Sequence, residues 1–221
     1  ATSDHDHYGS PEDAIERYGI PETFGEGIDP DPTMYNSFTD GTKAAVETVA
    51  TANCLGLTVD EGGVNCPAAA LSDLPDLFRP ASEGGALSRT PVVEEVRPPD
   101  DDPTFSVFVV TRTESSQLRD YYAQRRNVVS SDDGAYQVFY RPHHFATETT
   151  VSVASAVLDG EPTGVPTHHA AEVVAAAKRD LDPGEEIAGP GGETVYGQAV
   201  DPDAAAEADY APFELPAGPE M

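Results

Sequence analysis

An α+β fold, mixed α/β in character, is what this sequence predicts, and three features of the chain predict it. Helix-like and strand-like patterns alternate without a regular βαβ rhythm. The acidic residues run through those patterns instead of gathering in blocks, as they do in disordered acidic tails. Pro and Gly, 20 and 19 of them, fall where one pattern gives way to the next.

Taken in order, residues 1–33 are rich in Asp, Gly, Pro and His and predict a flexible acidic segment with one short helix at "SPEDAIERYGI". Ser10 can cap that helix, Pro11 suits its first turn, and Glu12 and Asp13 complement its dipole. The "DHDHY" cluster before it reads as a frayed, solvated terminus and not as a metal site. "TKAAVETVATANCLGL" is the strongest helix: Ala45, Val46, Val49, Ala50, Ala52 and Cys54 form a broad apolar stripe, and Gly56 suits its C-cap. "LSDLPDLF" predicts a short helix or turn. "GALSRTPVVEEVRP" and "TFSVFVVTRT" read as strands around the solvated turn "PPDDDP". "ESSQLRDYYAQR" predicts a helix and "DDGAYQVFYRP" a turn entering a strand. The small residues of "ETTVSVASAVLDG" suit a closely packed helix. "HAAEVVAAAKRDL" is Ala-rich like the first long helix, with a continuation that resembles strand–turn–strand. "TVYGQAV" gives a last strand, and 201–221 reads as a loose acidic tail.

The charge is extreme: 40 acidic against 12 basic residues, net −28. Hydrophobic content is 38% without Trp, low for a globular protein yet above the disordered range. Dispersed acids on patterned segments predict a folded protein from a salt-loaded cytoplasm, where self-repulsion is screened within about 3 Å at molar salt. There is no basic stripe to release counter-ions, which excludes nucleic acid and anionic membranes as partners. No apolar run reaches the length of a membrane span, and no signal-peptide pattern is present. Cys54 and Cys66 lack metal-ligand spacing and read as two buried thiols. The chain begins with Ala and reads as a processed or excised piece.

The chemistry concentrates near one of only two lysines. Lys43 follows Asp40 by three residues and precedes Glu47 by four, which places an ammonium between two carboxylates at a helix N-terminus, where the dipole disfavours it. A lysine so held suits polarising a carbonyl, binding an anion or passing a proton; a surface ion pair is the bland alternative. The other lysine, Lys178, stands with Arg179 before an acidic turn and reads as a clamp across that turn or part of an anion site. In "YRPHHFATET", Arg141, His144 and Glu148 gather a cation, an imidazole and a carboxylate. The adjacent His143 points to the other side of an extended segment. His168 and His169 read as ordinary loop residues. Glu83 precedes two glycines that permit close approach to a ligand. There is no GxGxxG after a strand, no P-loop, no GxSxG and no HExxH. Gly189, Gly191 and Gly192 precede a strand, which suits a hairpin and not a dinucleotide.

"SFTDGTKAAVETVATANCLGL", "FRPASEGGAL", "FVVTRTES", "DDGAYQVFYRPHHFATETTVSVASAVLDGEPTG" and "VVAAAKRDLDPGEEIAGPGGETVYG" occur in an order that resembles homoserine dehydrogenase-like oxidoreductases carrying a C-terminal SAF domain. The resemblance covers about residues 30–200. It implies an NAD(P)-dependent oxidoreductase whose nicotinamide cofactor is bound mainly by a Rossmann domain that precedes this region and is absent from it. It also implies a substrate and catalytic α/β region at 34–165, a SAF-like β-rich region at 166–200, a homo-oligomer and a cytoplasmic enzyme. By the same resemblance Asp40 and Lys43 of "DGTK" are catalytic and Arg141 and His144 of "YRPxH" bind substrate; Glu47, Glu83 and Glu148 join them as substrate-binding candidates from their own positions in the sequence. The implied substrate is a small hydroxy acid or a polyol-type molecule. Two alternatives stand beside this: a non-catalytic SAF-type binding or oligomerisation module, and a subunit completed by a separate cofactor-binding chain.

Overall fold

The structure, a computed structural model, describes residues 5–21, 23–25, 29–99, 107–142 and 145–213. As the patterns predict, helix and strand are mixed. They divide into two compact units woven from non-consecutive segments. A three-strand unit takes Cys66–Pro91 and Val96–Val165; a hairpin unit takes the described parts of Thr2–Asn65, Val92–Glu95 and Pro166–Met221.

In the hairpin unit, α1 (Pro11–Tyr18) starts at Ser10, whose hydroxyl accepts from the Asp13 N–H while the Asp13 carboxylate accepts from the Ser10 N–H, a capping box. Helix α2 (Pro32–Thr39) is capped by Asp31. The Thr33 hydroxyl and two backbone N–H groups hold the Asp31 carboxyl below its usual range. Helix α3 (Thr42–Leu55) ends on Gly56 in the left-handed conformation, as its sequence predicts. Its buried face is Thr42, Ala45, Thr48 and Ala52, all small, so it lies close on the strands beneath it. Ala45 and Ala52 pack with Val59, Ala171 and Ala199 to form the core.

Those strands are β4 (Glu172–Ala177) and β5 (Val195–Val200), antiparallel, with Ala175 opposite Gly197. The Ala-rich run is therefore a strand: its small side chains are selected by the approach of α3, and pairing with β5 overrides helix propensity. Residues 201–213, which read as loose, are ordered. Asp201 caps α7 (Pro202–Glu207), Ala205 packs on Val174 and Val200, and the 211–213 stretch pairs with β4 through Ala175 and Val173.

In the three-strand unit, a 3₁₀ turn (Leu71–Asp73) leads into α4 (Leu74–Leu77) and a second 3₁₀ turn (Ala81–Glu83) follows. Strands β1 (Val107–Arg112), β2 (Val128–Ser130) and β3 (Tyr136–Arg141) form an antiparallel sheet in the order β1-β3-β2, with α5 (Ser116–Tyr122) between the first two in sequence. The "SRTPVVEEVRP" segment, read as a strand, makes only isolated bridges, Thr58 with Val92 and Ala68 with Arg97. Pro91, Pro98 and Pro99 cannot donate to a ladder, so it does not extend. Most of the "PPDDDP" turn lies outside the described residues. Helix α6 (Phe145–Ala154) continues as a π-turn over Ser155–Asp159. It is not closely packed: from Val151 to Gly160 only Ser155 is partly buried. Cys54 and Cys66 are free and half-buried. No described helix is long and apolar enough to cross a membrane.

Candidate functional site

The turn joining α2 to α3, "TDGTK", carries the densest polar chemistry of the hairpin unit. Gly41 makes the turn at φ +85°, and a Cβ there would lie 2.3 Å from the His5 Nδ1. Asp40, fully buried, turns inward. One of its carboxylate oxygens accepts the Thr42 N–H at 2.8 Å, and the other lies 2.9 Å from the Nζ of Lys178 at the end of β4. The side chains of this pair are 3% and 0% exposed. Lys178 also donates to the Gly9 carbonyl at 3.1 Å.

The same carbonyl accepts from the Asn36 Nδ2 at 3.1 Å, and that amide donates to the Gly191 carbonyl at 2.8 Å. Both partners are acceptors, so the orientation of the amide is fixed, and its buried Oδ1 has no hydrogen-bond partner. The Asp40 carbonyl lies 2.7 Å from the His7 Nδ1. A carbonyl only accepts, so that nitrogen carries the proton and Nε2 is the acceptor of the neutral ring. The ring stacks on Tyr196, centroids 4.4 Å apart, so the expected frayed terminus does not extend to His7. Burial, then the charge of Tyr8, pushes the Tyr196 phenol above its ordinary value. Across the turn the Gly197 N–H donates to the Thr42 hydroxyl at 2.9 Å.

Lys43 points the other way. Its amine pairs with Glu47 one turn on and lies 5.2 Å from the centroid of the Phe38 ring, and its side chain is 38% exposed. The expectation that Asp40 holds Lys43 is therefore replaced by another pairing: Asp40 belongs to Lys178, and only Glu47 belongs to Lys43. The turn clamp anticipated for Lys178 with Arg179 is made by Arg179 alone, with Glu185. Beside α3, the half-buried Glu95 accepts from the buried Thr48 hydroxyl at 2.7 Å. Burial pushes its carboxyl above the usual range, against that hydrogen bond, and Glu94 and Glu47 add to the rise.

In the three-strand unit, Glu83 accepts the Tyr136 hydroxyl at 3.0 Å and lies 3.9 Å from the Arg112 Nε. Burial, followed by this carboxylate, raises the Tyr136 phenol. The glycine after Gly84 serves the chain itself: a Cβ on Gly85 would meet the Arg79 carbonyl at 2.1 Å. Arg79 in turn spans Asp76 and Asp133 at 2.8 and 3.0 Å. Arg141, at the end of β3, pairs with Glu148 in the first turn of α6 at 2.5 Å. His144 and His143 lie outside the described residues. His168 and His169 are in the exposed loop of the hairpin unit, the latter 2.7 Å from Glu172.

The family model "Oxidoreductase DRL, catalytic domain" matches residues 3–148, well over half of the chain's 221 residues. The chain belongs to the DRL oxidoreductase catalytic-domain family. A comparison with curated proteins finds no match. The DRL match takes in Asp40, Lys43, Glu47, Glu83, Arg141, His144 and Glu148 and ends before Lys178. An oxidoreductase catalytic domain needs a redox partner, and Gly191 and Gly192 do not open a cradle for a nicotinamide. A Cβ on Gly191 would meet the Thr33 carbonyl at 1.9 Å, and one on Gly192 the Ala188 Cβ at 2.4 Å. At Gly191 and Gly192 the space is filled by the protein itself, whereas nothing lies within 4 Å of a Cβ on Gly189. The pairing of Lys178 with Asp40, and the roles of Asn36 and His7, escaped the sequence reading. The one available signal is lysine scarcity, which applies equally to Lys43 and Lys178.

Proposed function

We propose that this chain is the substrate-binding and catalytic portion of an NAD(P)-dependent, homoserine dehydrogenase-like oxidoreductase acting on a small hydroxy acid or polyol-type substrate. The observation that carries the reading is the match to an oxidoreductase catalytic domain, within which every proposed site residue falls. The nicotinamide, which exchanges the hydride, belongs to a Rossmann domain supplied in cis or in trans, and residues 166–200 form a SAF-like part. The charge of −28 suits a cytoplasm at molar salt.

In this reading Lys43 is the group that meets substrate. Its amine is solvent-accessible and rooted on α3, and it donates a hydrogen bond to the reacting oxygen while Glu47 orients it. Asp40 acts through the backbone: anchored by Lys178, its carboxylate holds the Thr42 N–H and thereby the start of α3. Within the three-strand unit, Arg141 with Glu148 and with His144 is suited to bind an anionic group.

The test is Lys43→Ala in the complete enzyme with a nicotinamide screen at molar KCl. Loss of a proton-donating group lowers turnover by roughly 10²- to 10⁴-fold. Turnover near that of the wild type removes Lys43 from the mechanism.

A further inference from the structure

Residues 5–9 are laid across the turn between α2 and α3 in the hairpin unit. The Asp6 N–H donates to the Thr39 carbonyl at 2.8 Å, and His7 is held on the Asp40 carbonyl and stacked on Tyr196. His5 stands edge-on to His7, ring centroids 6.0 Å apart, with its Nδ1 packed where Gly41 lacks a Cβ. The half-buried ring is thereby fixed against a residue two positions before Lys43.

A separate segment, 92–95, brings a carboxylate to the same ring. The Val93 N–H donates to the Thr58 carbonyl at 2.8 Å, and the Thr48 hydroxyl of α3 donates to Glu95 at 2.7 Å. An imidazole nitrogen of His5 and a carboxylate oxygen of Glu95 lie within 4.8 Å of each other. An opposite charge within about 4–6 Å favours the ionised form of its neighbour. Glu94 and Glu47 add negative charge beside Glu95, so their surroundings stabilise an imidazolium. Hydroxyl, carboxylate and imidazole in this succession make a base whose partner is itself oriented by a third group. Lys43, as an ammonium, only donates, so it cannot take the proton of a reacting hydroxyl.

We propose that His5 is a further catalytic residue, the base of the oxidation, and that Glu95 is its positioning residue. The assignment rests on the oxidoreductase reading given above. As the substrate carbon gives up its hydride with the electron pair to the nicotinamide, the hydroxyl O–H bond breaks and its proton passes to the imidazole. The C–O bond becomes a carbonyl. Glu95, kept aimed by Thr48, stabilises the imidazolium until the proton leaves to water.

Two measurements test this. In the full chain at molar KCl, NMR follows through pH the His5 ring resonance, identified by its loss in His5→Asn. Glu95→Gln moves the midpoint to lower pH, because the imidazolium loses its opposite charge. Glu172→Gln, at the partner of His169, leaves it in place. An unmoved midpoint in Glu95→Gln overturns the pairing. In the complete enzyme, homoserine, glycerate and xylitol are screened with NAD+ and NADP+. His5→Asn lowers turnover by roughly 10²- to 10⁴-fold, and added imidazole restores part of it, which a merely structural role does not allow. Glu95→Gln shifts the acid limb of the turnover profile to lower pH. Turnover of His5→Asn near that of the wild type, or a loss that imidazole does not relieve, overturns the catalytic role. Turnover lost on chelation and restored by zinc assigns the pair to a metal and equally overturns it. If Lys43→Ala loses turnover and His5→Asn does not, the oxidoreductase reading stands and this one falls. A wild type that oxidises none of the probes overturns both readings of the reaction, and the NMR midpoint then decides the pairing alone.

Discussion

The two lysines of this protein bracket one turn and live under opposite physics. Lys43 begins α3 on the outside, with an exposed partner in Glu47. Lys178 reaches the inside of the same turn from the end of β4 and meets Asp40 where neither charge is hydrated. An exposed pair contributes about 0–1 kcal/mol, since hydration replaces most of what the partner offers. A buried pair gives little net stability as a pair, yet removing one member strands the other in a medium that cannot solvate it. The difference shows that scarcity of a residue type does not tell an exposed lysine from an enclosed one.

Breaking the buried side has the largest expected effect. Lys178→Ala lowers unfolding free energy by about 3–5 kcal/mol, read by denaturant titration at molar salt. Lys178→Met combined with Asp40→Asn restores most of it, since no charge is stranded and the Asn oxygen still accepts the Thr42 N–H. If the double variant is no better than the single one, the loss comes from packing and not from charge. Next comes the backbone that closes the site. Gly191→Ala places a Cβ 1.9 Å from the Thr33 carbonyl at a φ of +75° and costs about 2–3 kcal/mol. The exposed side yields less: Lys43→Ala changes stability by under about 1 kcal/mol while turnover collapses, which separates its chemistry from its structural weight.

The smallest effect lies beside α3. The carboxyl of Glu95 titrates higher in the folded state than its ordinary 4.5. An acid raised on folding favours the folded state fully only below its unfolded value, and that advantage is lost as pH rises through the folded value. Glu95→Gln, which retains the Thr48 hydrogen bond, therefore stabilises slightly at neutral pH and loses its advantage below pH 4.5. A gain that persists in acid would sever the link between this carboxyl's burial and its titration.

Much of the fold was legible because its causes are local. Ser10 with Asp13 and the glycine after Leu55 set helix ends within four residues of themselves, whereas Asp31 caps α2 in a stretch that reads as flexible. The Val107–Arg112 and Tyr136–Arg141 strands follow from their own β-branched and aromatic residues. The site was legible only in part. Lys43 with Glu47 is a same-helix pair and follows from spacing, but Asp40 has a competing partner 138 positions away, which no local pattern reports. Arg141 and Glu148 met as neighbours in sequence. Glu83 was singled out for its glycines, while its partner Tyr136 came from a distant strand.

By itself, the sequence determined where α1 begins and α3 stops, which strands are strongly patterned, and that dispersed acids accompany a folded core. Those outcomes depend on neighbours within a turn or two, whose hydrogen bonds and side-chain sterics are written consecutively. Only the tertiary structure decided that 172–177 is a strand, that 201–213 is anchored, and that Lys178 rather than Lys43 takes Asp40. It also decided that α6 turns its valines outward. Each of these is settled by which surfaces lose water together, and that depends on contacts between segments far apart in the chain.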